Sequence, residues 1–188
     1  HVGKALNPSK DDIIIDVCAA PGGKTTHIAE LSSDSAKILA FDLYPHKVDI
    51  IRKNVERLGI KSINCSVWDA TVVNPDLVGK ATKVLADVPC SGLGIIRKKP
   101  DIKFQRTPED IGEIIKIQRQ IINTAAQYVK PGGILVYSTC TINKDENYGV
   151  VSEFLSGNPF TIIEERTLLP HTGMWDGFYI CTLKKGEK

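Results

Sequence analysis

Two short segments of the sequence end in a thiol: Asp87-Val88-Pro89-Cys90 and Ser138-Thr139-Cys140. In each, the thiol sits beside small or rigid residues at the exit of an apolar run. A thiolate held in such a place is a nucleophile able to form a covalent intermediate. The commoner role of a cysteine is that of a small buried hydrophobe. Cys65 and Cys181 lie inside expected strands and are read that way, whereas Cys18 stays open between a reactive thiol and a small loop residue. The five cysteines form no CxxC pair and the four histidines form no HExxH, so no metal site is expected. Free thiols in a reducing cytoplasm fit this usage better than a disulfide framework.

A third segment, Asp16-Val17-Cys18-Ala19-Ala20-Pro21-Gly22-Gly23-Lys24, is built of small residues and leads into a helix. Small residues let backbone N–H groups approach a ligand closely. Gly23-Lys24-Thr25 fits the end of a phosphate loop, but Cys18 stands where that motif needs its first glycine. The adjacent pair Gly22-Gly23 also fails the GxGxxG spacing of a dinucleotide loop, which argues against a nicotinamide-dependent oxidoreductase. An S-adenosylmethionine loop, small at alternate positions, fits through Cys18, Ala20 and Gly22. Asp42 lies at about the spacing expected of an acid that holds ribose hydroxyls.

These residues need a scaffold that gathers them. Apolar β-branched runs predict strands at 13–17, 37–42, 61–67, 83–87, 134–138, 160–164 and 178–183. Helices are expected at 24–31, at 46–58 with Val48, Ile51, Val55 and Leu58 on one face and Gly59 ending it, and from Thr107-Pro108-Glu109-Asp110 to Tyr128. Asn143-Lys144-Asp145-Glu146 reads as a cap before a helix to Leu155, and Pro131-Gly132-Gly133 as a break before a strand. Strand–helix alternation argues a mostly parallel sheet with helices on both faces, its last strands antiparallel. Ligands then sit beyond the carboxyl ends of the strands, where Asp16, Asp42, Asp69, Asp87 and Cys140 would share one rim.

Composition sets the outer bounds. The 188 residues are 42% apolar and 24% charged, ordinary values for a single globular domain. No run approaches the roughly 20 apolar residues of a membrane span. The net charge of +2 does not by itself argue nucleic acid. Its distribution does more: Arg97, Lys98, Lys99, Lys103 and Arg106 surround the single acid Asp101, in a segment, 89–106, without clear periodicity. The first ten residues read as polar, and the chain starts at His1 without an initiator Met, as a fragment or processed product would.

The segments DVCAAPGGK (16–24), DVPC (87–90) and STC (138–140), with Glu146-Asn147 following, resemble the RNA cytosine-5 methyltransferases. GIIRKKPDIKF (94–104), Leu168-Leu169-Pro170 and Asp176-Gly177-Phe178 resemble most the bacterial small-subunit ribosomal RNA methyltransferase B group. Val88 departs from the alanine usual there. The resemblance spans nearly the whole chain. It implies a Rossmann-like, seven-stranded S-adenosylmethionine-dependent methyltransferase domain over 1–188, with an upstream RNA-binding region outside it. It also implies Cys140 as nucleophile toward cytosine carbon 6, Cys90 aiding release, and Asp87 binding the base. The cofactor would lie on Cys18, Ala19, Ala20, Pro21, Gly22, Gly23, Lys24, Asp42, Asp69 and Asp87, with ribosomal RNA on the basic segment and S-adenosylhomocysteine as product. The enzyme is expected to be cytoplasmic, monomeric and independent of membranes. Geometry read from sequence leaves Cys90 open as the nucleophile, as in the Pro-Cys motif of DNA enzymes. A non-catalytic RNA-binding module on the same fold is the alternative, against which stand the two thiols and Asp87.

Overall fold

The computed structural model describes residues 1–173 and 175–187, and all of their side chains except that of Gln105. Met174 and Lys188, part of the expected domain, lie outside the described residues. The strands are β1 (Ile13–Asp16), β2 (Lys37–Asp42), β3 (Ile63–Val67), β4 (Ala81–Asp87), β5 (Val129–Thr139), β6 (Phe160–Leu168) and β7 (Phe178–Lys185). They form one seven-stranded sheet in the order β3-β2-β1-β4-β5-β7-β6. β7 runs antiparallel to both of its neighbours, and the other pairings are parallel. The order reverses between β1 and β4, and there the crevice of a doubly wound sheet opens.

Both faces of the sheet are buried, so its central strands are apolar throughout rather than alternating. Successive residues point to opposite faces. Ile14, Leu85 and Val136 pack with Val2, Leu6, Ile28 and Ala29, carried by α1 (Val2–Leu6) and α2 (Gly23–Leu31). Ile15, Val84, Ala86 and Tyr137 pack with Ile122, Ala125 and Val150, carried by α5 (Pro108–Tyr128) and α6 (Val150–Gly157). On α3 (Pro45–Leu58), Val48, Ile51 and Val55 are buried, while Leu58, expected on the same face, is 50% exposed where the last turn overshoots the sheet. Gly59 ends this helix at φ +67°, a conformation costly for a residue with a Cβ. α5 opens on a full capping box, Thr107 and Asp110 each satisfying the other's backbone N–H. A four-residue helix, α4 (Ile102–Gln105), precedes it in the segment without periodicity.

Four expectations need correcting. The polar-looking first ten residues hold α1, because Val2 and Leu6, one helical turn apart, both bury themselves. Pro131-Gly132-Gly133 does not break the chain; β5 runs through it, with a register shift against β4 between Ala81 and Lys83 and Gly132 at φ +72°. The last two strands run several residues longer than their apolar cores. Asn143 does cap, its Oδ1 accepting from Asp145 N–H at 3.1 Å, but Asp145–Gly149 wind as a π-helical turn before α6 and Glu146 is buried. No helix among the described residues is long and apolar enough to cross a membrane.

Candidate active site

β1 delivers Asp16 to the rim, and the loop after it folds back before α2. Ala19 N–H donates to the Phe41 carbonyl at 2.8 Å, and Gly22 N–H to that of Ala19 at 2.7 Å. The adjacent glycines differ in role. Gly22 sits at φ +103° with Ile51 at contact distance, so it makes the turn; a Cβ on Gly23 would meet nothing within 4 Å, so its side is open to a ligand. A cavity of about 250 Å³ opens there between Asp16, Cys18, Ala20, Gly23, Lys24 and Asp87. A second hollow of about 240 Å³ shares Gly23 and Lys24 and is walled by His27, Trp175 and Phe178.

Asp16 is fully buried. Its Oδ2 accepts from Thr25 Oγ1 at 2.7 Å, while Oδ1 has no hydrogen-bond partner among the described residues. Burial pushes its carboxyl up to about 7; Asp87 adds to the rise, and Thr25 and Lys24 oppose it. Asp42, at the end of β2, accepts from Ala20 N–H at 3.2 Å and stands 3.9 Å from Lys47 Nζ. Asp69 lies just past β3 and closes its own turn, Oδ1 accepting from Thr71 N–H at 2.9 Å and Oγ1 at 2.7 Å. Cys18 is held as a neutral thiol, its pKa raised by burial and then by the carboxylates of Asp16, Asp42 and Asp87.

Next to this cavity β4 and β5, neighbours in the sheet, bring two distant thiols together. Cys90 Sγ and Cys140 Sγ are 3.2 Å apart, and both side chains are part-buried. Either sulfur can donate to the other across this contact. The contact with Cys90 holds the Cys140 thiol below its usual value; Lys24 helps, while burial and Asp87 oppose. The same contact and burial drive Cys90 far above the ordinary thiol range. Lys24 Nζ pairs with Asp87 Oδ2 at 2.6 Å, and Asp87 Oδ1 accepts from Ser138 Oγ at 2.7 Å. Two thiols, a carboxylate and an ammonium thus converge within one crevice. Cys65 and Cys181 lie in β3 and β7, their thiols raised by burial, Cys181 to about 12.

The basic segment forms the outer wall. Gly94 N–H donates to the Cys140 carbonyl at 3.0 Å, and Gly177 N–H to that of Gly94 at 2.8 Å. A Cβ on Gly94 would stand 2.0 Å from Gly177 O, so only glycine fits this close approach. Arg97 donates to the Trp175 carbonyl at 2.7 Å and Lys98 pairs with Asp176 at 2.6 Å, so both tie down the loop before β7. Arg106 Nε reaches the Ser91 carbonyl at 3.4 Å, Lys103 lies over the Phe104 ring, and Lys99 is exposed. Sequence reasoning placed Asp16 on the rim but gave it no part in holding the cofactor. It also missed Ser138 as a partner of Asp87 and the inward-facing Glu146 and Asn147.

The sheet order and rim are those of the S-adenosylmethionine-dependent methyltransferase fold. The chain belongs to the 16S rRNA methyltransferase RsmB/F family, whose sequence model matches residues 3–184. A probable ribosomal RNA small subunit methyltransferase B of Bacillus subtilis is 37% identical over 98% of this chain and 45% of its own length. The tRNA (cytosine(72)-C(5))-methyltransferase of Pyrococcus horikoshii is 36% identical over 97% of this chain and 49% of its own. The crystal structure of NSun6 from Pyrococcus horikoshii with SFG superposes with a TM-score of 0.91 at 35% identity, covering all of this chain and 51% of that one. The chain therefore spans about half the length of the relatives it matches.

The crevice suits S-adenosylmethionine on its own evidence. The orphaned, buried Oδ1 of Asp16 is an acceptor awaiting a cation such as the methionine ammonium. The open side of Gly23 admits close backbone approach, and Asp42 closes the far end of the loop.

Proposed function

We propose that this chain is the catalytic domain of an S-adenosylmethionine-dependent RNA cytosine-5 methyltransferase, acting on small-subunit ribosomal RNA through a covalent Cys140 adduct. The observation that carries this reading is the thiol pair, 3.2 Å apart beside the Lys24–Asp87 ion pair on the cofactor rim. Bound S-adenosylmethionine supplies an electrophilic methyl group on a sulfonium. Cytosine carbon 5 is a poor nucleophile until a thiolate adds to carbon 6, which turns carbon 5 into an enamine-like centre. Cys140 is the thiol already biased toward the thiolate, so it forms the C6–Sγ bond. Carbon 5 then takes the methyl, and the C–S bond of the sulfonium breaks with its electron pair left on sulfur, giving S-adenosylhomocysteine.

Release falls to Cys90. While Cys140 is anionic, Cys90 keeps its proton because it donates into that charge. Once Cys140 is a neutral thioether, that cause is gone. The Cys90 proton leaves to solvent, which is the one proton the net reaction releases. The resulting Cys90 thiolate takes the proton from carbon 5, the C5=C6 bond re-forms, and the electron pair of C6–Sγ returns to Cys140. Asp87 accepts from the cytosine amino group and so fixes the base over Cys140. Asp42 holds the ribose, Asp69 the adenine edge, and residues 18–24 the remainder of the cofactor. The target base leaves its stack to enter, and Arg97, Lys98, Lys99, Lys103 and Arg106 hold the RNA backbone outside. The domain acts as a monomer in the cytoplasm.

Two outcomes are expected. Cys90→Ala, incubated with S-adenosylmethionine and small-subunit ribosomal RNA, gives a denaturation-resistant protein–RNA band that Cys90→Ala/Cys140→Ala does not give. Absence of the band both in this chain and in a protein extended to the length of its relatives overturns the mechanism; a band with tRNA alone moves the substrate to that RNA.

The second outcome concerns Asp16. With its carboxyl pushed up to about 7, it is protonated at pH 6 in the free chain, and an ammonium beside it favours the ionised form. Binding of S-adenosylhomocysteine at pH 6 then releases a proton from this carboxyl, read by calorimetry in two buffers of different ionisation enthalpy. Asp16→Asn abolishes the release. The folded chain also holds this proton where the unfolded chain, with an ordinary carboxylate, has lost it. Asp16 therefore makes stability fall as pH rises from about 4 to about 7, a slope that Asp16→Asn removes.

A further inference from the structure

Glu146 is fully buried, 0% exposed, and does not touch the cofactor crevice. Four donors surround its carboxylate. Oε2 accepts from Ser91 N–H at 2.8 Å and from Gln118 Nε2 at 3.0 Å; Oε1 accepts from Ser91 Oγ at 2.5 Å and Asn143 Nδ2 at 3.3 Å. Ser91 directly follows Cys90, and Gln118 on α5 also donates to the carbonyl of Pro89, which directly precedes it, at 2.9 Å. The next residue, Asn147, does for the other thiol what Glu146 does for this one. Its Oδ1 accepts from Thr139 Oγ1 at 2.6 Å and its Nδ2 donates to the Thr141 carbonyl at 3.0 Å, one residue to either side of Cys140. Ser91 Oγ and Thr141 Oγ1, 2.9 Å apart, bridge the two loops. Both clamps hang from the single π turn 145–149, whose wider winding turns two consecutive side chains inward. The Tyr137 hydroxyl donates to the Glu146 carbonyl at 2.7 Å and pins that turn to β5.

We propose that Glu146 is a positioning residue for the thiol pair: from one turn shared with Asn147 it fixes the Cys90 loop against the Cys140 loop and so sets the 3.2 Å contact between the two sulfurs. This rests on the methyl-transfer reading only for what the pair is used for. A buried carboxylate is costly unless every acceptor is satisfied, and here all four contacts are donors. An ordinary structural hydrogen bond would not need an anion at this place. The anion has a use because a glutamine reproduces it only in part: in one orientation its Nε2 would face Ser91 N–H and Gln118 Nε2, and in the other it would face Asn143 Nδ2. The groups that face Cys140 are Cys90, Asp87 and Lys24, and of these only Cys90 is held by Glu146.

The test follows the Cys140 thiol directly and requires neither RNA nor cofactor. Alkylation of Cys140 by iodoacetamide is measured across pH 5–10 by peptide mass mapping, alongside thermal unfolding. In Glu146→Gln the Cys90 loop relaxes, the S–H donation is lost, the midpoint for Cys140 rises by about one pH unit, and its rate at pH 7 falls about tenfold. A lowered Tm with the midpoint unmoved would mean that Glu146 only stabilises the fold, and would overturn the proposal. Should Glu146→Gln not fold, Ser91→Ala decides: it keeps the peptide N–H and removes the bridging hydroxyl, so a smaller rise supports the proposal and none overturns it. If the midpoint moves but no methyl transfer or adduct is ever found, the clamp stands and the assigned reaction falls.

Discussion

Cys140→Ala gives a folded chain whose methyl transfer to RNA falls by at least about 10⁴-fold, the loss that follows removal of the nucleophile from a covalent mechanism. Without a thiolate at carbon 6, carbon 5 never becomes nucleophilic enough to attack the sulfonium methyl. The fold survives because, among the described residues, the hydrogen-bond contact of Cys140 Sγ is to Cys90, and the chain on either side is held through Thr139 and Thr141 by Asn147. Cys140→Ser is expected to be as inactive, since a serine hydroxyl in the same place stays protonated. The measurement is methyl incorporation from labelled S-adenosylmethionine into RNA, run beside thermal unfolding. Cys90→Ala behaves differently in kind: it forms the adduct, methylates once and stalls. If instead Cys140→Ala accumulates the adduct and Cys90→Ala does not, the two thiols have exchanged roles. The lowering of the Cys140 thiol, set first by its contact with Cys90 and helped by Lys24 against burial and Asp87, argues for the first outcome.

What the sequence makes legible is what short-range chemistry determines. Gly59 at a helix end, the Thr107–Asp110 capping box and the buried faces of 13–16 and 37–42 depend on neighbouring residues, and each is where the spacing places it. The loop 16–24 is legible for the same reason, since only small residues pass between a strand end and the N-terminus of α2. The thiol pair is not, because Cys90 and Cys140 meet through the adjacency of β4 and β5, a property of sheet order that no local pattern encodes. Glu146 is misread because an acid after Asn143 looks the same whether it caps a helix from outside or is turned inward by a π turn. Arg97 and Lys98 look like free cations, yet each is anchored to the loop that precedes β7. Their partners, Trp175 and Asp176, lie far along the chain and become visible only once β7 is inserted beside β5.

Asp87→Asn separates recognition of the base from activation of the nucleophile, because its effects on the two should run in opposite directions. As an acceptor for the cytosine amino group, Asp87 contributes an interaction that strengthens as the adduct forms, and its loss is expected to lower kcat/KM for RNA by about 10²–10³-fold. Asparagine keeps the size and an acceptor for Ser138 Oγ, but its amide donor faces Lys24 Nζ, so the ion pair is broken. The Cys140 thiol feels both changes. A carboxylate that raised it is gone, and the ammonium that lowered it has lost its competitor. Cys140 should therefore be alkylated faster at pH 7 in Asp87→Asn than in the parent chain, even as methyl transfer falls. Opposite movement of the two rates places Asp87 on the base. A parallel fall in both would mean that Asp87 acts through the integrity of the crevice, and the base would then need another partner. Lys24→Met supplies the complementary case: with the ammonium gone, alkylation of Cys140 slows. The ammonium's part in the site is then electrostatic, holding Asp87 in place while biasing Cys140 toward the thiolate that the reaction consumes.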